Sequence, residues 1–467
     1  MTSVHAPSAP ESYAATSYWL ESCGDDLTPR KSVSGDGVYD VAILGGGFSG
    51  LWTAYYLLRD NPGLSVAIVE REICGYGASG RNGGWCSPRY PLDASTLIAR
   101  YGVEAARNVM LAMQRTVDEV GRVCVEEEID AEFRRTGILS LARGDHQLPA
   151  IQRSHQAYER LGLGHDNILI SAAEARARVN VTQLSGALHT AHSACLHPGK
   201  LVRGLARVVE RLGGTIFERT EVVRIRQGAE PRLITAAGDL VARRAIVAAG
   251  EAYLTQQPGF QRALLPMSSL IVLTEPLTET QWTQIGWRGG EGLASQVSVV
   301  DYLTKTTDGR ILYGSRGAPY HLGSNVDRSW DEPTADTMRR TLLEWFPILA
   351  DVGFSHGWAG HLGVTRDWTP NIVLGGGKLG QMFGYTGRGV STTNLCGRML
   401  ASAITGRPSG FETLPTAGHV SPLWEVEPFR FLGVRYVQEG FHRIDAAAKE
   451  GRGAPIDAPL VRWLSKQ

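Results

Sequence analysis

The sequence predicts an α/β (α+β) chain in which a discontinuous Rossmann-like domain is joined to a second domain built on a mixed or antiparallel sheet. Three observations carry that expectation. A strand, a glycine-rich turn, a helix, a second strand and an acidic residue follow one another from Tyr39 to Glu70, and a further small-residue strand ends at Ala249-Gly250. Between Leu264 and Trp368 the texture changes to longer alternating strands. With 467 residues the chain has room for about two or three domains, each with its own core.

The first unit is read from its spacing. Val41 to Leu44 is a short apolar run suited to a buried parallel strand, and Leu51, Ala54, Tyr55 and Leu58 recur at helical spacing after it. Between them lies Gly45-x-Gly47-x-x-Gly50, with Phe48 and Ser49 opening the helix. Gly45 permits the tight turn, Gly47 lets a pyrophosphate approach the backbone, and Gly50 lets the helix lie close on the sheet. The helix N-terminus adds unpaired N–H groups and a partial positive charge. A second strand, Leu64 to Val69, ends in Glu70, which lies 70 − 50 = 20 residues past the last glycine, where a carboxylate accepts from ribose hydroxyls. Glu70 and its neighbour Arg71 are the adenosine-side candidates, and the acid favours FAD or NAD over NADP.

Composition narrows the partners. Hydrophobic residues at 43% and charged residues at 20% describe a soluble globular protein. A formal net charge of zero gives no reason to expect a nucleic-acid or membrane-surface partner. The six cysteines form no C-x-x-C pair, so no metal site is expected and the thiols read as reduced and intracellular. Met1 to Glu11 carries no basic segment leading into an apolar core, and no run of about eighteen apolar residues occurs, so the expected location is the cytoplasm.

The remaining elements follow in chain order. An N-terminal arm, 1–37, is expected to be disordered at its Ser/Ala/Pro/Thr-rich tip (1–17) and anchored by Tyr18-Trp19-Leu20, with Trp19 read as packing rather than substrate-facing. After Glu70, the run Ile73 to Cys86 is too rich in small residues for a regular element and reads as a loop lying against something flat or anionic. Its candidates are Gly77, Ala78, Ser79, Arg81, Asn82, Gly83 and Gly84, with Ser79 and Arg81 bonding a pyrophosphate or ring edge and the N–H groups of Gly83 and Gly84 reaching the ring. Residues 105 to 124 show one helical apolar face, with Met110 and Met113 as core filling and Glu126 to Glu128 as a solvated helix end. A strand is expected from Phe133 to Leu141, and an amphipathic helix from Leu201 to Leu212 closed by Gly213-Gly214. Thr215 to Phe217 and Glu221 to Ile225 read as a strand pair, Leu233 to Val241 as a hairpin, and Arg244 to Gly250 as a buried strand.

In the second texture, strands are expected at Ser268 to Thr274, Val297 to Tyr302 and Arg310 to Gly314, with a helix over 334 to 346. Tyr253, Tyr302, Tyr320, His321, Trp358 and His361 concentrate in and beside it, and of these Tyr253, Tyr302, Tyr320, Trp358 and His361 are the pocket candidates. His361, set between glycines, is placed to tune the protonation of a bound base near neutral pH. Finally Leu379 to Asn394 repeats the opening logic: a strand, a glycine-rich turn, then a helix whose N-terminus near Gly387, Arg388, Gly389 and Val390 aims N–H groups at an electron-rich ring edge. The tail reads as helical around Arg435 to Lys449 and carries no functional signal.

From about Tyr18 onward these pieces resemble the D-amino acid oxidase (DAO) superfamily of FAD-dependent oxidoreductases, in particular its gamma-glutamylputrescine oxidoreductase-like branch. The resemblance rests on Gly45 to Gly50, Gly77 to Gly84, Ala248-Ala-Gly250, Asp308 to Arg316 and Gly384 to Val390, of which the second and fourth together are the specific ones. It implies a glutathione-reductase-2/DAO-type fold, divided as an FAD-binding domain at 38–104, 196–255 and 371–410, a substrate domain at 105–195 and 256–370, and a helical tail at 411–467. It also implies extended FAD with Glu70 on the ribose, Val223 near the adenine, Ala249 and Gly250 beside the dinucleotide, the Ser79 to Gly84 loop along the flavin and Gly387 to Val390 at its pyrimidine end. The implied chemistry is oxidation of an amine C–N bond with hydride passing to flavin N5 and the imine hydrolysing in water, oxygen accepting the electrons to give hydrogen peroxide.

Three departures bear on the substrate. Relatives acting on amino acids place an arginine after a Trp-Ala-Gly-Leu-like run to grip a carboxylate; here the run is Trp358-Ala-Gly-His-Leu-Gly-Val-Thr-Arg366 and the counterpart is Leu362. Arg366 is expected to pair with Asp367 or Asp351, and Arg316 either holds an acidic group or braces the flavin loop. No cysteine stands in Asp301 to Asp308 and no histidine in Ser79 to Gly84, so FAD is expected to be non-covalent. The Gly-Asp motif of flavin hydroxylases is missing near Asn371 to Gly377. The leading expectation is therefore an amine oxidase or dehydrogenase, with oxygen or another electron acceptor. The alternatives are an amino acid oxidase or dehydrogenase, and a non-catalytic flavin-binding subunit.

Overall fold

The computed structural model describes residues 10–324, 326 and 330–466; most of the expected disordered tip lies outside them. Two eight-stranded sheets organise the chain. The first is built on β1 (Gly37–Leu44), followed by helix α1 (Phe48–Asp60) and strand β2 (Val66–Val69), with β3 (Gly238–Ala248) arriving much later. β1 runs parallel to both β2 and β3 between them, so Val41, Ala42 and Ile43 have no exposed surface and the strand reads as an unbroken apolar run. Gly45 takes φ +108°, and a Cβ there would meet the Ala249 carbonyl at 2.7 Å. A Cβ on Gly50 would lie 2.1 Å from the Gly45 carbonyl oxygen, so only glycine lets α1 seat on this turn.

Two sequence expectations are corrected here. Thr215–Phe217 and Val222–Arg226 do not pair: the first lies parallel beside β2, and the second forms the far edge next to Arg232–Thr235. Between them Glu218, fully buried, accepts from the backbone N–H groups of Arg30 and Cys74 and sends the chain to the opposite edge. The hairpin does form, but its second strand and the expected Arg244 to Gly250 strand are one continuous element, β3, antiparallel to Arg232–Thr235 and then parallel to β1.

The second sheet centres on β4 (Leu265–Thr274), β5 (Asp301–Lys305), β6 (Ile311–Ser315) and β7 (Phe354–Val364), in the order β7, β4, β6, β5. It continues through Gly292–Ala294, Ile138–Arg143, Leu184–Thr190 and Asn167–Ser171. The strand expected at Val297 to Tyr302 begins only at Asp301, whose carboxylate accepts from the Ser295 N–H and hydroxyl and pulls 295–300 into a loop. β7 is the element missed: Gly357, Gly360 and Gly363 give it the look of a loop, yet it pairs with β4 along nearly its whole length.

Strand β8 (Leu379–Phe383) returns to the first sheet parallel to β3 and leads into helix α2 (Gly389–Thr405), which packs across α1. Helix Val103–Glu126 lies against α2; its C-cap Glu127 is no free solvated end but accepts from the Tyr55 hydroxyl and pairs with Arg211. The tail forms helices α3 (Phe429–Lys449) and α4 (Ala458–Ser465), which pack together over the second sheet. Trp424 donates to the Val364 carbonyl, and Asp445 takes two bonds from Ser298. At the other end Tyr13 and Ser17 are buried, so the arm is docked well before Tyr18. Among the described residues no helix is long and apolar enough to cross a membrane.

Candidate active site

A cavity of about 610 Å³ is walled by both sheets. It runs from Val223, Glu70 and Gln257 past the N-terminus of α1 to Tyr302 and Arg316. Gly45, Gly47, Phe48 and Ser49 face it, and so do Gly387, Arg388, Gly389 and Val390 at the start of α2. Neither N-cap residue, Gly47 or Arg388, gives a side-chain bond to its helix, although the Phe48 N–H donates to Ser79 Oγ. Two sets of orphan backbone donors thus open on one space, which fits a long ligand with an anionic centre and an electron-rich ring edge. Gly50 stays out of the lining, consistent with its steric task beneath the turn.

Glu70, the acid expected on the adenosine side, lines the cavity. Its carboxylate accepts from the Gly46 and Glu72 N–H groups at 2.7 and 2.9 Å, one to each oxygen, and each oxygen keeps a lone pair for a ribose hydroxyl. Burial pushes its pKa up, and the two backbone donors work against that shift. Arg71 borders the same end, donating to Gln256 and lying over the Tyr253 ring. Ala249 and Gly250 complete the wall beneath it.

The Gly77 to Gly84 loop is held from behind. Its consecutive carbonyls at Gly80, Arg81 and Asn82 accept from Ser17, Trp358 and Trp19 at 2.7, 3.0 and 2.6 Å. Asn82 donates inward to Ala78 and Ser79, and Ser79 Oγ accepts from the Phe48 N–H. Gly77, Ala78, Ser79, Arg81, Asn82 and Gly83 therefore line the cavity. Two members differ from expectation. Arg81 spends its guanidinium on the Tyr76 and Ala359 carbonyls, and the Gly84 N–H is taken by Asn82 Oδ1, which leaves Gly84 outside the lining.

Tyr302 and Arg316 stand at the far end, while Tyr253, reached by Arg71, and His361 beside it line the wall nearer Glu70. Tyr302 donates or accepts at Ser269 Oγ (3.2 Å), and burial raises its phenol so that it stays protonated. His361, 4% exposed, sits 3.2 Å from Ser268 Oγ and edge-on to Tyr253. Arg316 donates to the Thr386 carbonyl, and burial lowers its pKa to about 10. Trp358 is a correction: it braces the loop from outside the cavity, in a cluster with Tyr18 and Trp19. Tyr320 is another, its hydroxyl donating to Glu427 under the tail, and His321 also lies outside the lining. Arg366 pairs with Glu425, not with Asp367 or Asp351.

Sequence reasoning missed two features. Glu251, directly after the Ala-Ala-Gly signal, lines the cavity half-buried and accepts from the Gly363 and Gly384 N–H groups, with desolvation lifting its pKa to about 7. Arg89 lines the same cavity, donating to Ser140. With Arg316 and Arg388 it forms a cationic trio: Arg388 is depressed to about 9 by burial and then by the charges of Arg89 and Arg316. Among the described residues no carboxylate pairs with any of the three. A polar neighbour for Arg89 could be sought only after the fold was known, since nothing in its local sequence marks it.

Similarity to known proteins agrees with this geometry. The family described as DAO, FAD dependent oxidoreductase, matches residues 40–403. The chain is 28% identical over 406 residues to gamma-glutamylputrescine oxidoreductase of Escherichia coli (strain K12), covering 86% of this chain and 92% of that protein. Its fold matches the crystal structure of glycine oxidase from Geobacillus kaustophilus with a TM-score of 0.70 at 19% identity, over 82% of this chain and 99% of that one. L-proline dehydrogenase from P. horikoshii matches with a TM-score of 0.67 at 21% identity, over 83% and 96%. The chain belongs to the DAO family of FAD-dependent oxidoreductases, and FAD is its cofactor.

Proposed function

We propose that the protein oxidises the C–N bond of a primary or secondary amine that also carries an acidic group, with oxygen as the final acceptor giving hydrogen peroxide. The observation that carries this reading is the trio Arg89, Arg316 and Arg388, three half-buried cations facing one cavity with no carboxylate partner among the described residues. Unpaired buried charge is expensive, and an anionic substrate group relieves it. The match to gamma-glutamylputrescine oxidoreductase supports an amine as the reacting group.

The cofactor-side roles are proposed on the same geometry. Glu70 holds the ribose, Val223 borders the adenine, the α1 N-terminus receives the pyrophosphate, and Ser79 to Gly83 and Gly387 to Val390 frame the ring. The lining contains no cysteine among the described residues, which supports non-covalent binding. When bound, FAD supplies a two-electron acceptor. The chain's own residues do the rest: Arg316 fixes the acidic group, Tyr302 and His361 wall the reacting end, and the positive field of the trio disfavours the ammonium form, so the amine is presented neutral at its nitrogen. Leu362, apolar in the cavity wall, and Arg366, committed to Glu425, both count against an α-amino acid grip. The six free cysteines support a cytoplasmic location.

The test is anaerobic bleaching of the flavin by a panel of amines, followed by peroxide detection on admitting air. Bleaching by acid-bearing amines, and poor bleaching by the same amines without the acid, is expected. Equal bleaching by both removes the acidic group from the reading. Bleaching by α-amino acids alone points to an amino acid oxidase, and none by any compound to a non-catalytic flavin-binding subunit.

A further inference from the structure

A second cavity of about 240 Å³ lies between the C-terminal tail and the second sheet. It shares three wall residues with the first, Ser298, Val300 and Arg316, so Arg316 stands where the two meet. Beyond that point the walls are mostly apolar, with Met267 from β4, Val364 from β7, and Trp424, Phe429, Val434 and Phe441 from the tail, joined by Gln438 and His442 of α3. The Trp368 and Trp424 indole N–H groups are already spent on the Ser465 and Val364 carbonyls, and the Arg366 guanidinium lies over the Trp424 ring. The other cations on its rim are matched, Arg366 by Glu425 and Arg430 by Glu427. Arg316 is the cation there with no carboxylate partner among the described residues.

We infer that this chamber is a distal subsite of the active site, taking an aryl group that the amine substrate carries beyond its acidic group, with Arg316 gripping the acid at the threshold. The inference rests on the acid-bearing amine reading and extends it: the substrate is elongated, with amine, acid and ring in that order. An apolar cavity of about 150 Å³ already accommodates a benzene ring, so this chamber is large enough for one. The tail thereby acquires a task. Asp445 pins Ser298 through both its N–H and its hydroxyl, so α3 holds the shared wall in place as well as closing the chamber.

The test uses the full-length FAD-bound protein and two acids that lack an amine, butanoate and 4-phenylbutanoate, with binding read from perturbation of the flavin spectrum and from calorimetry. The aryl acid is expected to bind about tenfold tighter or more. Gly433 faces the chamber from α3, and a Cβ built there meets no atom within 4 Å, so Gly433→Phe fills the space without a backbone clash. That variant is expected to erase the gap between the two acids; Val434→Trp serves as the second filling variant if the first does not fold. Equal affinities in the parent protein, or a gap that survives both fillings, overturns the subsite. Failure of the underlying reading looks different: neither acid binds, and both proposals fall together.

Discussion

The N-termini of α1 and α2 open on the same cavity, yet they are furnished differently. At α1 the surroundings are backbone and a hydroxyl: Gly45 to Gly47, the Phe48 N–H and Ser79, with Glu70 nearby. At α2 the first residue is flanked by Arg388, and Arg89 and Arg316 stand within its field. The first end suits a group whose charge is met by neutral dipoles; the second has cationic charge to spare. A helix end is therefore a general anion site, and the side chains brought to it by the rest of the fold decide what it is used for.

Four experiments press on that contrast, in order of expected size. Gly50→Ala forces a Cβ into the Gly45 carbonyl and is expected to cost about 3 kcal/mol and yield protein without yellow colour, read from the absorbance ratio and the melting temperature. If the variant stays yellow and as stable as its parent, the α1 end tolerates more than its geometry allows. Arg316→Met is expected to leave FAD bound while weakening acid-bearing ligands about a hundredfold, because a buried charged partner is removed; an unchanged affinity in anaerobic titration would show that the trio is structural.

Leu362→Arg places a guanidinium in the cavity wall and is expected to make α-amino acids bleach the flavin about tenfold more readily. No gain in that assay would break the correspondence drawn for this position. The smallest effect concerns Glu251. Its carboxyl is raised from 4.5 to about 7 by burial, so the folded state holds that proton more tightly than the unfolded one. The stability it contributes is full below about pH 4.5 and is lost as pH rises through about 7. Glu251→Gln should flatten that slope by about 2 °C in melting temperature between pH 5 and pH 8; parallel curves for the two proteins would assign the slope to other groups.

The α1 end was legible in the sequence and much of the α2 end was not, for a physical reason. The turn from β1 through Gly45 to Glu70 is a local object whose constraints fall within some thirty residues, so glycine spacing and strand periodicity report it directly. Gly387 to Val390 announced itself by the same pattern. Arg316 and Arg388 are marked in the sequence as well, but Arg89 is not, and the meeting of the three is not readable there because they come from three distant segments that only the closed sheets bring together. β7 hid for a related reason: its glycines mimic a loop, and its identity as a strand comes from the partner β4 across a separation the sequence pattern cannot report. Trp358 and Tyr320 show the converse error, since aromatic residues near a pocket in sequence were drawn off to brace a loop and a tail.

The docking of the N-terminal arm has a consequence for the order of assembly. Ser17 finds its acceptor at Gly80, Ser22 meets His197, and Glu21 meets His356. During synthesis residues 17–22 emerge before these partners, and the last of them, His356, follows more than three hundred residues later. These residues thus settle only after much later ones are made, and they do so on the outer side of the Gly77 to Gly84 loop. Seating of the arm therefore also closes the outer bonds of that loop, at the Gly80 and Asn82 carbonyls.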